Sequence, residues 1–365
     1  LGRTIPAGFT APKLRWIVDH EPGVWERTAH VILPHDFVNA CLAHDFFTEA
    51  GDASGTGYFD PVSGDYDATA MAATAPRLGG MVPRLVPCDR VAAALVPSTA
   101  ERLGLPVGTP IAAGGGDNMM SAIGAGATRA GVSVCSLGTS GTVFAFADAP
   151  VHDPDGAIAA FRASSPMSAT GEAGHLPLLC VMNCTEPLEA ICELSGRDHV
   201  QLTACAENAV MGDELFVPFL VGERVPNLPN ATGALLGLRA SSLTPGVLYR
   251  AALAGVALNR AAGLDRMRAL GVDPSEVRLV GGAARTPLWQ RILAATFGVP
   301  VRVLAEPETA AVGAALQAAA AVHGASVDAL AQRFVRYEGP AVEPATDERL
   351  DVLGARLAEV VAQTH

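Results

Sequence analysis

Ile111-Ala112-Ala113-Gly114-Gly115-Gly116-Asp117-Asn118 is followed, after a run of small residues, by Val132-Ser133-Val134-Cys135-Ser136-Leu137-Gly138-Thr139-Ser140-Gly141-Thr142-Val143-Phe144. The first half sets an acidic and an amide side chain directly behind three glycines and ahead of the helix-compatible residues 119–123. The second half is two apolar, strand-like runs joined by Gly138-Thr139-Ser140-Gly141, a turn composition at hairpin spacing. Glycines let a backbone come close to a ligand, and a turn of N–H groups with two hydroxyls makes a phosphate cradle. Asp117 stands where phosphoryl transfer would want a base. A purely local reading is open for each half. Asp is favoured at helix starts, and Gly-Thr-Ser-Gly also suits an ordinary hairpin turn in which Gly supplies a positive φ. The two readings of Asp117 are compatible, because a helix N-terminus keeps a carboxylate ionised.

Downstream, residues 277–280 read as a strand, Gly281-Gly282-Ala283-Ala284-Arg285 as a loop, and 287–297 as a helix. A strand at 299–304 and an Ala-rich helix at 309–321 follow. This order is that of an α/β layer, which binds ligands at its strand ends. The paired glycines would let a flat ring lie against the backbone, and Gly313 is expected to allow close packing at the same place. A P-loop is excluded by the lack of a Gly-x4-Gly-Lys-Ser/Thr motif. Gly124-Ala125-Gly126 followed by Gly131 misses the dinucleotide spacing.

Upstream, short helices are expected at 14–17 and 24–29, a strand at 31–33, and a helix from Pro34 through Leu42. His30, His35 and His44 lack ligand spacing and read as surface or satisfied histidines. Asp52, in the glycine-rich loop 49–57, either orients its neighbours or makes an Asx-type turn. Prolines crowd residues 60–110, and 105–110 is the expected hinge before a second domain. Between the hairpin and Gly281, strands are expected at 176–182 and 215–220, and helices at 186–194, 201–209 and 247–270.

The chain has 365 residues, enough for two domains, and is half hydrophobic with 17% charged residues. A net charge of −12 argues against nucleic-acid or anionic-membrane partners. Cys41, Cys88, Cys135, Cys180, Cys184, Cys192 and Cys205 are odd in number and scattered, which suits free thiols in a reducing cytoplasm. Cys180 and Cys184 lack a second ligand pair, so no metal site is expected from them. The uncharged run 309–327 is interrupted by Gly313, Gln317 and His323, and alanine is too weakly apolar to make it a membrane span.

Gly-Gly-Gly-Asp-Asn at 114–118 with Ser-Leu-Gly-Thr-Ser-Gly at 136–141 resembles the FGGY family of carbohydrate kinases, and within it the xylulokinases. The likeness runs from Pro6-Ala7-Gly8-Phe9-Thr10-Ala11-Pro12-Lys13-Leu14 to the helix after Glu308. It implies an α/β, actin/ribonuclease-H-like fold of two domains flanking a cleft. The first, sugar-binding domain would be incomplete here at 1–108, and the second, ATP-binding domain would span 109–365. It further implies ATP and Mg²⁺, a small-molecule sugar substrate with D-xylulose first, and Asp117 as base with Asn118 bonding the sugar. Gly138, Thr139, Ser140 and Gly141 would hold phosphate, and Gly281, Gly282 and Ala283 would line the adenine pocket. A homodimer is allowed without being specified. Ala254 departs from the family pattern, standing where Glu is usual. Leu1 falls inside what resembles the first domain, so one phosphate clamp of the family has no counterpart and the isolated chain is expected to be nearly inactive. Kinases of glycerol, ribulose or gluconate, and a nucleotide-binding regulator without transfer activity, are the rival readings.

Overall fold

In chain order the principal helices are α1 Thr10–His20, α2 Pro34–Ala43, α3 Ala50–Ala53, α4 Asp117–Gly124, α5 Glu186–Ser195, α6 His199–Glu207, α7 Pro245–Ala269, α8 Pro287–Phe297, α9 Thr309–His323 and α10 Glu348–Thr364. The strands of the main sheet are β1 Val132–Ser136, β2 Gly141–Ala145, β3 Leu178–Val181, β4 Glu276–Val280 and β5 Val301–Val303. The computed structural model describes residues 4–166 and 173–364. Its contacts gather into two units. The first holds residues 1–130, 145–177 and 308–335, and the second 131–144, 178–307 and 336–365.

The second unit is built on a five-stranded sheet ordered β3-β2-β1-β4-β5. β1, β4 and β5 run parallel, with Ser136 paired to Val280, while β3 is antiparallel to β2. Four of five residues in both β1 and β4 are buried, as expected of parallel strands covered on both faces. α7 packs on this unit as a 25-residue helix, started by Pro245 and by the Thr244 hydroxyl, which accepts from Val247 N. Its buried polar residues include Asn259 and Arg260, the latter fully buried.

In the first unit, Leu14 of α1, Trp25, Val31, Tyr58 and Leu78 share one apolar core. The expected strand at 31–33 does not form. Val31 N bonds the Met81 carbonyl at 2.9 Å and its side chain joins the core, but Pro34 starts α2 at once and leaves no length for a ladder. α4 and α9 cross where Gly124 faces the Thr309 carbonyl and Gly313 faces the Met120 carbonyl, each too close for a side chain. Gly313 therefore serves the packing of α4 rather than the adenine loop expected from the sequence. Among the described residues no helix is long and apolar enough to cross a membrane, and none of the seven cysteines is in a disulfide.

Candidate active site

The two glycine-rich segments of the second unit meet at the carboxyl ends of β1 and β4. Parallel register puts Ser136 beside Val280, so the chain leaves both strands at the same edge. Leu137 N then donates to the Val280 carbonyl at 2.9 Å. Gly281 has φ +98° and ψ 164°, and a methyl group on it would stand 2.6 Å from the Leu137 carbonyl oxygen. That backbone region is essentially open to glycine only. Gly282 is exposed with open space where a side chain would be, and Ala283 is half-buried. Sequence reading named 138–141 and 281–283 separately; the sheet brings them side by side.

The turn itself is pinned from behind. The Gly138 carbonyl accepts from Thr185 N and the Thr139 carbonyl from Cys184 N, both at 3.1 Å, while residues Thr139 and Ser140 are exposed. Neither Gly138 nor Gly141 has a positive φ, contrary to the hairpin-turn expectation. Gly141 is glycine for lack of room: a side chain there would strike the Arg260 guanidinium and come within 2.8 Å of the Ser136 carbonyl. Arg260 lies beneath the turn, its three guanidinium nitrogens without a hydrogen-bonding oxygen. Burial pushes the flanking Cys135 thiol up to about 12 and raises Cys184, with Arg260 opposing both shifts. A buried cation, favoured by Cys184, Cys135 and the buried Glu223 carboxylate, under an exposed Gly-Thr-Ser turn fits an anionic ligand such as a phosphate chain.

Asp117 and Asn118 belong to the first unit. Asp117 is exposed at the first position of α4, Gly116 taking the cap position, and its Oδ1 accepts from Asn118 N at 2.7 Å and Asn118 Nδ2 at 3.0 Å. The three glycines before it rest on a polar floor. Gly114 N donates to Gln317 Oε1 at 2.9 Å and its carbonyl accepts from Gln317 Nε2 at 3.0 Å. His35 Nε2 and Asn39 Nδ2, one turn apart on α2, both reach the Ala113 carbonyl, at 2.7 and 3.0 Å. His35 Nδ1 lies 3.1 Å from Asp52 Oδ2. Glu49, fully buried, accepts from Gly51 N and Asp52 N. Asp52 thus takes the orienting role rather than closing a turn of its own. Sequence reasoning missed Gln317, Asn39 and Glu49; His35, read as a surface or satisfied histidine, is the satisfied kind, with Asp52 and the Ala113 carbonyl as partners. Gln317 did carry a signal, as a polar residue inside an alanine-rich helix.

These groups give the first unit a pH dependence. Burial opposes the charging of His35, but its bonds to Asp36, Asp52 and the Ala113 carbonyl win and lift it to about 10. A raised histidine contributes stability that is complete below its unfolded value of about 6.5 and is lost as pH rises through about 10. At lower pH two groups oppose each other. Glu49, raised to about 7 by burial, withdraws stability as pH rises, while His175, lowered to about 4 by burial, adds it up to about pH 6.5. Urea unfolding from pH 7 to 8, below the range in which the raised thiols of Cys88, Cys135 and Cys184 add slopes of the same sign, should therefore show stability falling by up to about 1.4 kcal/mol per pH unit. His35→Gln should flatten that slope, and an equally steep slope in the variant would refute the account.

Family comparison places this geometry. Residues 1–124 match the FGGY family of carbohydrate kinases, N-terminal domain, and residues 133–322 match the C-terminal domain. The chain belongs to the FGGY family of carbohydrate kinases. It is 35% identical to a xylulose kinase of Haemophilus influenzae over 93% of its own length, spanning 68% of that relative. It is 36% identical to the xylulose kinase of Streptomyces rubiginosus over 98% of its length and 71% of the relative's. The crystal structure of a xylulose kinase from Brucella ovis superposes on all of the chain with a TM-score of 0.92 at 28% identity, the chain covering 74% of it. The FGGY fold, of the actin/ribonuclease-H-like type, is therefore the fold of this chain, and its class is that of a sugar kinase.

Proposed function

We propose that the protein carrying this chain transfers the γ-phosphoryl group of ATP to a hydroxyl of D-xylulose, giving D-xylulose 5-phosphate. The observation that carries the nucleotide half is the meeting of 138–141 with 281–283 at the ends of β1 and β4, above the buried charge of Arg260. The curated relatives' names support the sugar. In this reading Gly138, Thr139, Ser140 and Gly141 hold phosphate oxygens, Gly281, Gly282 and Ala283 flank the adenine, and Mg²⁺ brought with the nucleotide would neutralise phosphate charge. Asn118 hydrogen-bonds the sugar. Asp117 takes the proton of the attacking hydroxyl as its oxygen bonds to phosphorus and the bond to the ADP oxygen breaks. Positioning and charge stabilisation carry most of such a transfer. A cytoplasmic location is part of the same reading, since a reducing compartment suits seven cysteines outside disulfides.

A panel of D-xylulose, D-ribulose, glycerol and gluconate, assayed by sugar-dependent ADP release, tests it. D-xylulose is expected to give a kcat/KM at least about tenfold above the others, the discrimination available to a site that pairs with each hydroxyl. Preference for another polyol would move the substrate assignment. In the protein carrying this chain with its phosphate clamp in place, nucleotide binding without turnover on any sugar would favour the regulatory reading.

A further inference from the structure

A second cluster of reactive side chains, in the second unit, has no part in that chemistry. Glu189 and Cys192 stand three residues apart on α5 and so share one face of it. α5 stops at Gly196, in left-handed backbone at φ +64°, and Asp198 caps α6, which turns His199 back towards α5. His199 Nε2 lies 3.0 Å from Glu189 Oε1 and 4.0 Å from Cys192 Sγ. Its other nitrogen, Nδ1, is 2.8 Å from the Tyr249 hydroxyl on α7 and 3.3 Å from the same sulfur. One sulfur, one imidazole nitrogen and one carboxylate oxygen thus lie within 4.8 Å of one another, on half-buried to exposed residues.

We infer that Glu189, Cys192 and His199 form a binding site for a zinc-type divalent cation, held by three side chains with a fourth position open to water. Metal–ligand bonds of about 2.0–2.3 Å in tetrahedral geometry set neighbouring donors roughly 3.3–3.8 Å apart. The observed 3.0 and 4.0 Å bracket that range, so rotamer-scale shifts close the shell. The Tyr249 hydroxyl accepts from Nδ1–H and leaves the Nε2 lone pair for the ion, the outer-shell support that ligating histidines need. Thiolate with imidazole selects zinc-like ions over Mg²⁺ and Ca²⁺. The surroundings favour a cation: Glu193 adjoins Cys192 and Asp198 adjoins His199 in the chain, and the nearby Arg197 guanidinium is turned to Cys205 Sγ at 3.3 Å. Bound there, the ion would fasten α5 to α6, and α5 begins beside the residues that hold the 138–139 carbonyls.

Co²⁺ titration tests the assignment, because a thiolate ligand gives a sulfur-to-cobalt charge-transfer band. The wild-type chain should show that band saturating at one ion per chain, and Zn²⁺ but not excess Mg²⁺ should abolish it. Cys192→Ser should remove the band, while His199→Ala and Glu189→Gln should each weaken binding by about tenfold or more. Zn²⁺ should raise the melting temperature of the wild type and leave that of Cys192→Ser unchanged, which separates ion binding from damage to the fold. Absence of the band in the wild type, its survival in Cys192→Ser, or binding indifferent to His199 would overturn the site.

Discussion

Asp117→Asn is expected to lower sugar-dependent turnover by about 10³-fold while leaving ATP affinity within about twofold, as removal of a general base does. The substitution keeps the shape of the side chain at the start of α4. The amide oxygen of Asn can still accept from Asn118 N and Nδ2, so the two bonds that orient Asp117 survive. What disappears is a site for the hydroxyl proton. kcat at saturating sugar, beside calorimetric titration with a non-hydrolysable ATP analogue, separates the two effects. Asn118→Ala is the contrasting control: loss of a sugar hydrogen bond should raise KM more than it lowers kcat. Turnover of Asp117→Asn within about tenfold of the parent would remove Asp117 from the chemistry, leaving it as an ordinary helix-start residue.

Strand–loop–helix alternation after Glu276 was legible because each element is short-range in its causes. Val277, Leu279 and Val280 make residues 277–280 mostly apolar around Arg278, Pro287 opens α8, and Gly298 ends it in left-handed backbone. The hairpin about 138–141 was legible for the same reason. The failures share the opposite cause. Gln317 holds Gly114 across 203 residues of chain, and Gly313 finds its partner on α4, contacts that no local period encodes. Gly141 reads as a turn glycine, yet its smallness answers to Arg260, 119 positions away (260 − 141). Arg260 had a faint signature: it lies on the face of α7 shared with Leu253, Val256, Ala257 and Leu264, all buried. A lone arginine in an apolar stripe signals a buried charge with a task, whereas helical charges are ordinarily solvated.

Gly281→Ala should disable nucleotide binding and weaken the second unit together, because one carbon meets two obstacles. Its backbone, at φ +98° and ψ 164°, is closed to residues bearing a Cβ, a strain of about 1–3 kcal/mol. The added methyl would also stand 2.6 Å from the Leu137 carbonyl oxygen and 3.0 Å from its carbon, both backbone atoms that cannot swing aside as a side chain would. Relief has to come from parting the loop from the turn, which puts at risk the Leu137 N to Val280 O bond and the alignment of 138–141 with 281–283. ATP affinity should fall by at least about tenfold, equivalent to about 1.4 kcal/mol, and the denaturant midpoint should drop. Gly282→Ala, one residue on, meets open space and should leave the midpoint unchanged. If both variants bound nucleotide like the parent, the 281–283 loop would lie outside the nucleotide site and the proposed adenine pocket would have to be sought elsewhere on the sheet.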